Sequence, residues 1–448
     1  MKLLKIGISG IRGIVGDTLT PELVMDFACA FGTYMNVQQV LLGRDTRRSG
    51  PMLRSATVSA LLSTGCDVVD LSICPTPILQ YLVKKLKAHG AISISAGHND
   101  ANWNALTFID REGTYLNSYQ GEAILDIYHL GRFKKVSARS LGALTEKNEY
   151  PETYFADLAR FLDTEAIRKA AFRVVIDACN GGGAGFTNTF CHHLGCELVP
   201  VNNEPSGYFP HEPEPRPRNA TEVATIIKIT KSDIGFLLNS DVSRVSIVSE
   251  NSETLSEEYT LPVVASFYLN RKPGSVITNL STSRMIEDVA GVRDCRIIRA
   301  KVGQSPCIQE MIEEDGVMAG EGSGSVAIRE FHPAYDGFLS MGLVLEMMAV
   351  KKLKISTIVR QLPKYHIKKE KICCPPVKAH SIIHEIGKLY PSRKTDVSDG
   401  IKVDWRDGWI HIRVSGTEPM IRIISESRNE KKAQERLDKA TSFVKKRV

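Results

Sequence analysis

The sequence predicts a mainly parallel α/β protein. Two observations carry that reading. Short apolar runs of strand length recur along the chain, several of them followed by a glycine-bearing turn, and they alternate with amphipathic stretches at helical spacing. The composition is that of a soluble globular chain: of 448 residues, 43% are hydrophobic and 24% charged. That balance excludes a disordered chain, a collagen-like chain and a membrane bundle, and at about 150 residues per domain the length suits roughly three domains.

Taken in order, Val40–Leu42 reads as a strand, Gly43-Arg44-Asp45 as the turn after it, and Pro51–Gly65 as a helix. Cys66–Leu71 and Ala91–Ser95 read as further strands, which gives the βαβ rhythm of a helix-covered sheet. A second unit begins near Pro151, with a buried strand at Phe172–Asp177, a tight turn at Asn180–Gly183 and a strand at Glu197–Val201. Four prolines between Pro210 and Asn219 forbid helix and sheet interior, so that segment reads as an extended connector. A third unit from about Glu257 to Pro363 holds a strand at Ser275–Thr278 and a glycine-rich turn at Gly320–Ser325. The apolar stretch Gly342–Val350 is broken by Glu346 and reads as a core helix, too short for a membrane span. The basic tail from about Tyr365 ends in a charged helix, Asn429–Val448.

Charge and cysteine usage narrow the function classes. Lys plus Arg total 57 and Asp plus Glu 51, a formal charge of +6. Spread over this length, without a run of basic residues, that excess suits a small anionic ligand and gives no sign of a nucleic-acid or membrane partner. None of the ten cysteines forms a CxxC pair, and Cys373 and Cys374 are adjacent. They read as reduced, mostly buried thiols of a cytoplasmic protein, and the N-terminus, broken by Lys5 and Gly7, does not read as a signal peptide.

Six loop regions carry candidate chemistry. In Arg413–Arg422, the turn Ser415-Gly416-Thr417 offers backbone N–H groups and two hydroxyls between two arginines, a set suited to phosphate. Ser95–Asp100 follows a strand, where an α/β protein places chemistry, and carries His98, Asn99 and Asp100. Asn239, Asp241 and Ser243 alternate as oxygen donors for a hard cation, with a single carboxylate among them. Glu321 and Ser323 on a glycine turn suit sugar hydroxyls. Arg12 and Arg44 sit in N-terminal turns, where salt bridges explain them equally well.

In chain order these segments read GISGIRG, GRDTRRSG, SAGHND, NSDVSR, GEGSGS and RVSGTEPMIR. That order resembles the α-D-phosphohexomutase superfamily, in its phosphoglucosamine mutase-like branch, over essentially the whole chain. The resemblance implies a heart-shaped fold of three related α/β domains and a smaller C-terminal α+β domain, with a cleft where all four meet. The implied boundaries are 1–150 for the serine-loop domain, 151–252 for the metal-loop domain, 253–364 for the sugar-loop domain and 365–448 for the phosphate-binding domain. It also implies a phosphorylated hexose or hexosamine as ligand, a phosphoserine that gives and receives the phosphoryl group, and Mg²⁺ on three aspartates.

The matching positions divide into two sets. Arg12 and His98 match as catalytic residues. Arg44, Asn99, Arg244, Glu321 and Ser323 match as sugar contacts, and Arg413, Ser415, Gly416, Thr417 and Arg422 as phosphate contacts. The chemical positions depart: Gly97 stands for the phosphoserine, Thr107 for a lysine, and Ser325 for a histidine. Asn239, Asp241 and Ser243 stand for the metal aspartates, so a formal −3 becomes −1. Ser95 lies about 6–7 Å back along an extended strand, too far for an in-line substitute. The expectation is therefore a phosphosugar binder without phosphoserine/Mg²⁺-dependent mutase activity, acting as a sensor or as partner subunit of an active paralogue, with no cofactor and Mg²⁺ weak or absent. A homo-oligomer is also open. The alternatives are altered chemistry on a phosphosugar, with His98, Asp100 or Asp241 as acid–base groups, or a still-active mutase.

Overall fold

A computed structural model describes residues 4–147, 149–390, 395–415 and 419–448. Four sheets follow one another along the chain. The first has seven strands, in the order Lys5–Gly7, Gly10–Ile14, Trp103–Ile109, Gly90–Ile94, Val40–Arg44, Val68–Ile73 and Leu144–Glu146. Its four last-named strands are parallel, and the other three add antiparallel. The sheet is thus more mixed than the βαβ rhythm predicts, because the strands flanking the loop at residues 95–102 form a hairpin and not a crossover.

The second sheet runs Val245–Ser249, Ile234–Leu238, Arg173–Asp177, Glu197–Val201, and the third Ile297–Ala300, Val276–Asn279, Met318–Glu321, Ser325–Ile328. Each is parallel except for one antiparallel edge. The fourth sheet, between His366 and Ser427, is wholly antiparallel and carries the helices Pro376–Ile386 and Glu430–Lys445. The architecture is three α/β units and a C-terminal α+β unit.

Packing separates the last unit from the others. A continuous apolar core joins the first three, from Leu82 and Tyr154 through Phe190 and Phe236 to Phe338 and Val344. Its spine is the helix Gly337–Lys351, buried without break from Gly337 to Met348. Period-3.6 patterning is absent there because every face meets protein. Asp336 caps it, accepting from Leu339 N at 3.1 Å, Tyr154 Oη at 2.5 Å and His332 Nε2 at 2.8 Å. The C-terminal unit has its own core around Val403, Ile410, Ile412, Ile421 and Ile423. Polar contacts dock it: Arg284 to Asp404 at 2.7 Å, Ser281 to His411 at 2.7 Å, and Lys369 to Glu257 and Glu258 at 3.0 and 2.9 Å. A polar interface of this kind permits relative movement far more readily than a shared apolar core.

The proline-rich connector is extended apart from a single 3₁₀ turn at Pro217–Asn219, formed at its very end where Pro217 takes a first-turn position and loses no hydrogen bond. The cysteines are free, and seven of them are buried. Among the described residues no helix is long and apolar enough to cross a membrane.

Candidate functional site

All four units contribute to one cleft of about 460 Å³. The first unit supplies Arg12, Gly97, His98 and Tyr115, and the second Glu214, Arg216, Asp241, Ser243 and Arg244. Glu258, Glu321, Ser323 and Ser325 come from the third, and Lys369, Arg413 and Arg422 from the fourth. Residues spread over some four hundred positions meet because strand ends and their loops converge there.

The loop after Gly90–Ile94 is held by one buried arginine. Arg47 is fully buried, and its guanidinium donates to the carbonyls of Gly97 at 2.9 Å, Asn99 at 2.8 Å and Asp100 at 2.8 Å. Its Nε pairs with Asp45 Oδ2 at 3.0 Å. Ser95 Oγ donates to the same carboxylate at 2.6 Å, and Ser240 Oγ donates to Gly97 O at 2.6 Å. Burial pushes the Asp45 carboxyl up from its usual range, against the pull of Arg47. Gly97 itself sits at φ +56°, in the left-handed region, and a Cβ there would lie 2.9 Å from Asp241 Oδ2. Glycine answers both demands.

On this loop His98 turns into the cleft and is half-buried. Burial, then the positive charge of Arg244, Arg12, Arg422 and Arg216, keeps its imidazole well below the usual titration range, hence neutral at pH 7. Arg12 Nη1 is steadied by Asn99 Oδ1 at 3.0 Å. Opposite, Asp241 Oδ1 accepts from Asn239 Nδ2 at 2.7 Å, Ser243 N at 3.0 Å and Ser243 Oγ at 2.6 Å. Those three donors fix the carboxylate so that Oδ2 faces Gly97.

Also on the cleft wall, Arg413 and Arg422 are cross-strand partners on Gly408–Val414 and Met420–Ser427. Like charges directly opposite one another repel, and an anion between them relieves this. Burial, with Arg422 adding to it, lowers the Arg413 pKa, and its Nε is buried without a hydrogen-bond partner among the described residues. On the same cleft wall, Glu321 Oε1 accepts from Gly303 N at 2.8 Å and from Asn279 Nδ2, while the Ser323 and Ser325 hydroxyls lie 3.2 Å apart.

The structure brings together Arg12, His98, Arg244, Glu321, Ser323, Arg413 and Arg422. Other expected residues sit elsewhere. Arg44 does not line the cleft; its guanidinium folds back on Asp45 O at 3.1 Å. Asn99 and Asn239 act one step behind, on Arg12 and on Asp241. Thr107 lies within the first sheet, opposite Gly10 and Ser93, away from the cleft. Ser415 is buried, its N–H donating to Met420 O at 2.8 Å, and Gly416 and Thr417 lie outside the described residues. Ser93 and Ser95 are buried on Thr76 and Asp45. Sequence reading missed Tyr115, Glu214, Arg216, Glu258, Lys369 and the anchor Arg47. Only the proline-bounded Glu214-Pro215-Arg216 carried a local signal, as polar residues in a rigid loop.

Comparison with known proteins decides the family. Models described as phosphoglucomutase/phosphomannomutase α/β/α domains I, II and III match residues 3–135, 152–252 and 256–365, and the C-terminal domain of the same family matches 375–442. The chain belongs to the α-D-phosphohexomutase superfamily. A phosphoglucomutase/phosphomannomutase of Thermococcus kodakarensis is 33% identical over 441 residues, 96% of each chain. A "probable phosphoglucosamine mutase" of Pyrococcus abyssi is 32% identical, over 98% of this chain and 97% of that one. A solved phosphoglucomutase/phosphomannomutase family protein from Burkholderia thailandensis shares the fold with a TM-score of 0.83, at 23% identity over 99% of this chain and 96% of that one.

These phosphohexomutase relatives correct the expectation that no cofactor is involved. An Aspergillus fumigatus N-acetylphosphoglucosamine mutase of this fold (TM-score 0.59, 15% identity, 92% of this chain and 83% of that one) is solved with GlcNAc-6P and magnesium. The charge count behind that expectation misleads for a physical reason. Magnesium keeps much of its water and takes one or two carboxylates plus substrate phosphate, so three aspartates are not a requirement. The residues present fit such an ion: Asp241 offers an oriented anionic oxygen, Oδ2, at the cleft wall.

Proposed function

We propose that this phosphohexomutase-fold protein takes a phosphorylated hexose or hexosamine into the cleft and moves its phosphoryl group between sugar hydroxyls. The observation that carries the reading is the cleft's polarity. Arg12, Arg216, Arg244, Arg413 and Arg422 line the cleft together with Glu321 and Ser323. A sugar held by its hydroxyls at Glu321 and Ser323 meets several guanidinium groups in the same cavity, and these suit its phosphate. Mutases among relatives at 32–33% identity over nearly the whole chain support turnover rather than its loss. In this reading Asp241 Oδ2 would hold magnesium, which when bound would supply charge to offset that of the phosphoryl group, and Asn239 and Ser243 orient that carboxylate. Arg12 and Arg244 bind the phosphoryl oxygens, and Arg47 keeps the His98 loop in place. Lys369, paired with Glu257 and Glu258, ties the C-terminal unit to the cleft as the ligand is enclosed.

The test has two parts. Calorimetric titration with glucosamine 6-phosphate, glucosamine 1-phosphate and glucose 1-phosphate, with Mg²⁺, is expected to show binding that Arg422→Ala weakens. A coupled assay with glucose 1,6-bisphosphate present is expected to show interconversion of the 1- and 6-phosphates. No binding of any of the three defeats the reading. Binding without turnover favours a second reading, a phosphosugar sensor, for which Gly97's lack of a hydroxyl speaks.

A further inference from the structure

We propose that His98 is the phosphoryl acceptor of this protein, a phosphohistidine taking the place of the hydroxyl nucleophile that Gly97 cannot supply. The inference rests on the phosphosugar reading above. It starts from a gap: the loop apex has no side chain at 97, and the serine hydroxyls nearest to it are spent. Ser95 donates to buried Asp45, Ser93 is bonded to Thr76, Ser240 donates to Gly97 O, and Ser243 donates to Asp241.

His98 is the next residue along, with its Cα about 3.8 Å from that of Gly97. Its backbone is as firmly held as a catalytic loop requires. Arg47 binds the carbonyls on both sides of it, at Gly97 and Asn99, and Ser240 fixes Gly97 a second time. Its ring lines the cleft, and no hydrogen bond to either ring nitrogen is present among the described residues. The surroundings match the task. A nitrogen nucleophile needs its lone pair, and the neutral imidazole keeps it. The incoming phosphoryl group carries negative charge, and Arg12, Arg244, Arg216 and Arg422 are the cations around the ring. The same guanidiniums that hold the imidazole neutral therefore stabilise what it receives.

The step balances. The lone pair of one ring nitrogen forms an N–P bond with the phosphoryl group of a sugar bisphosphate. The P–O bond to the sugar breaks, and its electron pair leaves with the sugar oxygen. The imidazole gives up its single N–H proton, which ends on that oxygen, so the products are a phosphohistidine and a sugar monophosphate with a free hydroxyl. Reversal onto the other hydroxyl completes the transfer.

The experiment is phosphosite mapping after incubation of the full chain with glucose 1,6-bisphosphate and Mg²⁺, beside a calorimetric titration of the same ligand. The expected result is incorporation of one phosphoryl group that is stable in base and lost in acid, maps to His98, and is absent in His98→Gln. Circular dichroism and the thermal midpoint of His98→Gln confirm that it is folded, and its ligand affinity is expected to stay within about tenfold of the parent protein. An acid-stable label on Ser243 or another serine overturns the proposal, as does a hydroxylamine-sensitive label on Asp241. Binding with no label overturns it and leaves the phosphosugar reading standing. Absence of binding removes both, and that outcome is read from the titration alone.

Discussion

Removing Arg47 tests whether one buried side chain organises the loop that carries His98. The variant Arg47→Met keeps much of the side-chain volume and loses the guanidinium. Three carbonyls, those of Gly97, Asn99 and Asp100, lose a donor, and Asp45 loses its counter-ion while remaining 1% exposed. Breaking a buried pair from one side costs about 3–5 kcal/mol, because the other charge stays buried. Ser95 still donates to Asp45, which places the expected cost near the lower end, about 3 kcal/mol, and the stranded carbonyls add about 1–3 kcal/mol. Urea unfolding followed through Trp103, which packs against Ala96 beside the loop, reads the loss. The double variant Arg47→Met/Asp45→Asn is expected to regain at least half of it. The pH dependence has a defined sign. Burial already raises Asp45 above its unfolded value, and losing Arg47 raises it further, so the penalty is full above the folded pKa and is relieved as pH falls through it. A loss under about 1 kcal/mol, or no rescue by Asp45→Asn, would refute the anchoring role.

Gly97→Ser is expected to lower stability by about 1–2 kcal/mol in denaturant unfolding, since an L-residue pays that in the left-handed region and its Cβ crowds Asp241. Unchanged stability would mean that the loop relaxes freely. Arg422→Ala is expected to weaken phosphosugar binding by about 1.5–3 kcal/mol, the worth of a charge-assisted hydrogen bond, as read by calorimetry. Glu258, pushed up by burial to about 7 from 4.5, makes stability fall as pH rises across that window. Glu258→Gln is expected to flatten the slope, and a thermal midpoint profile unaltered between pH 5 and 7 would count against this assignment. Chelating magnesium with EDTA is expected to slow interconversion more than it weakens binding, because the arginines remain in place.

The strand rhythm was legible because each strand is a short apolar run next to a glycine turn. Glu197–Val201 begins and ends where the sequence reading placed it, and Val40–Leu42 lies inside the observed Val40–Arg44. Strands such as Val68–Ile73, read as Cys66–Leu71, shifted by two residues, because flanking apolar residues carry the same signal. Long-range hydrogen-bond partners were not legible. Arg44 and Arg47 lie in one arginine-rich turn, and nothing local says that Arg47 turns inward to hold Gly97 while Arg44 folds back on Asp45. Tyr115 and Lys369 reach the cleft through sheet register and domain docking, to which periodicity is blind.

By itself the sequence determined the fold class, the run of βα units and the chemical types gathered in the loops, since these follow from hydrophobic period, turn residues and charge. Tertiary structure alone decided which of those loops meet, which arginine is buried, and that His98 stands neutral among four guanidiniums. Burial and electrostatic environment depend on contacts between residues hundreds of positions apart, and a pKa is set by what surrounds a group, not by what precedes it in the chain.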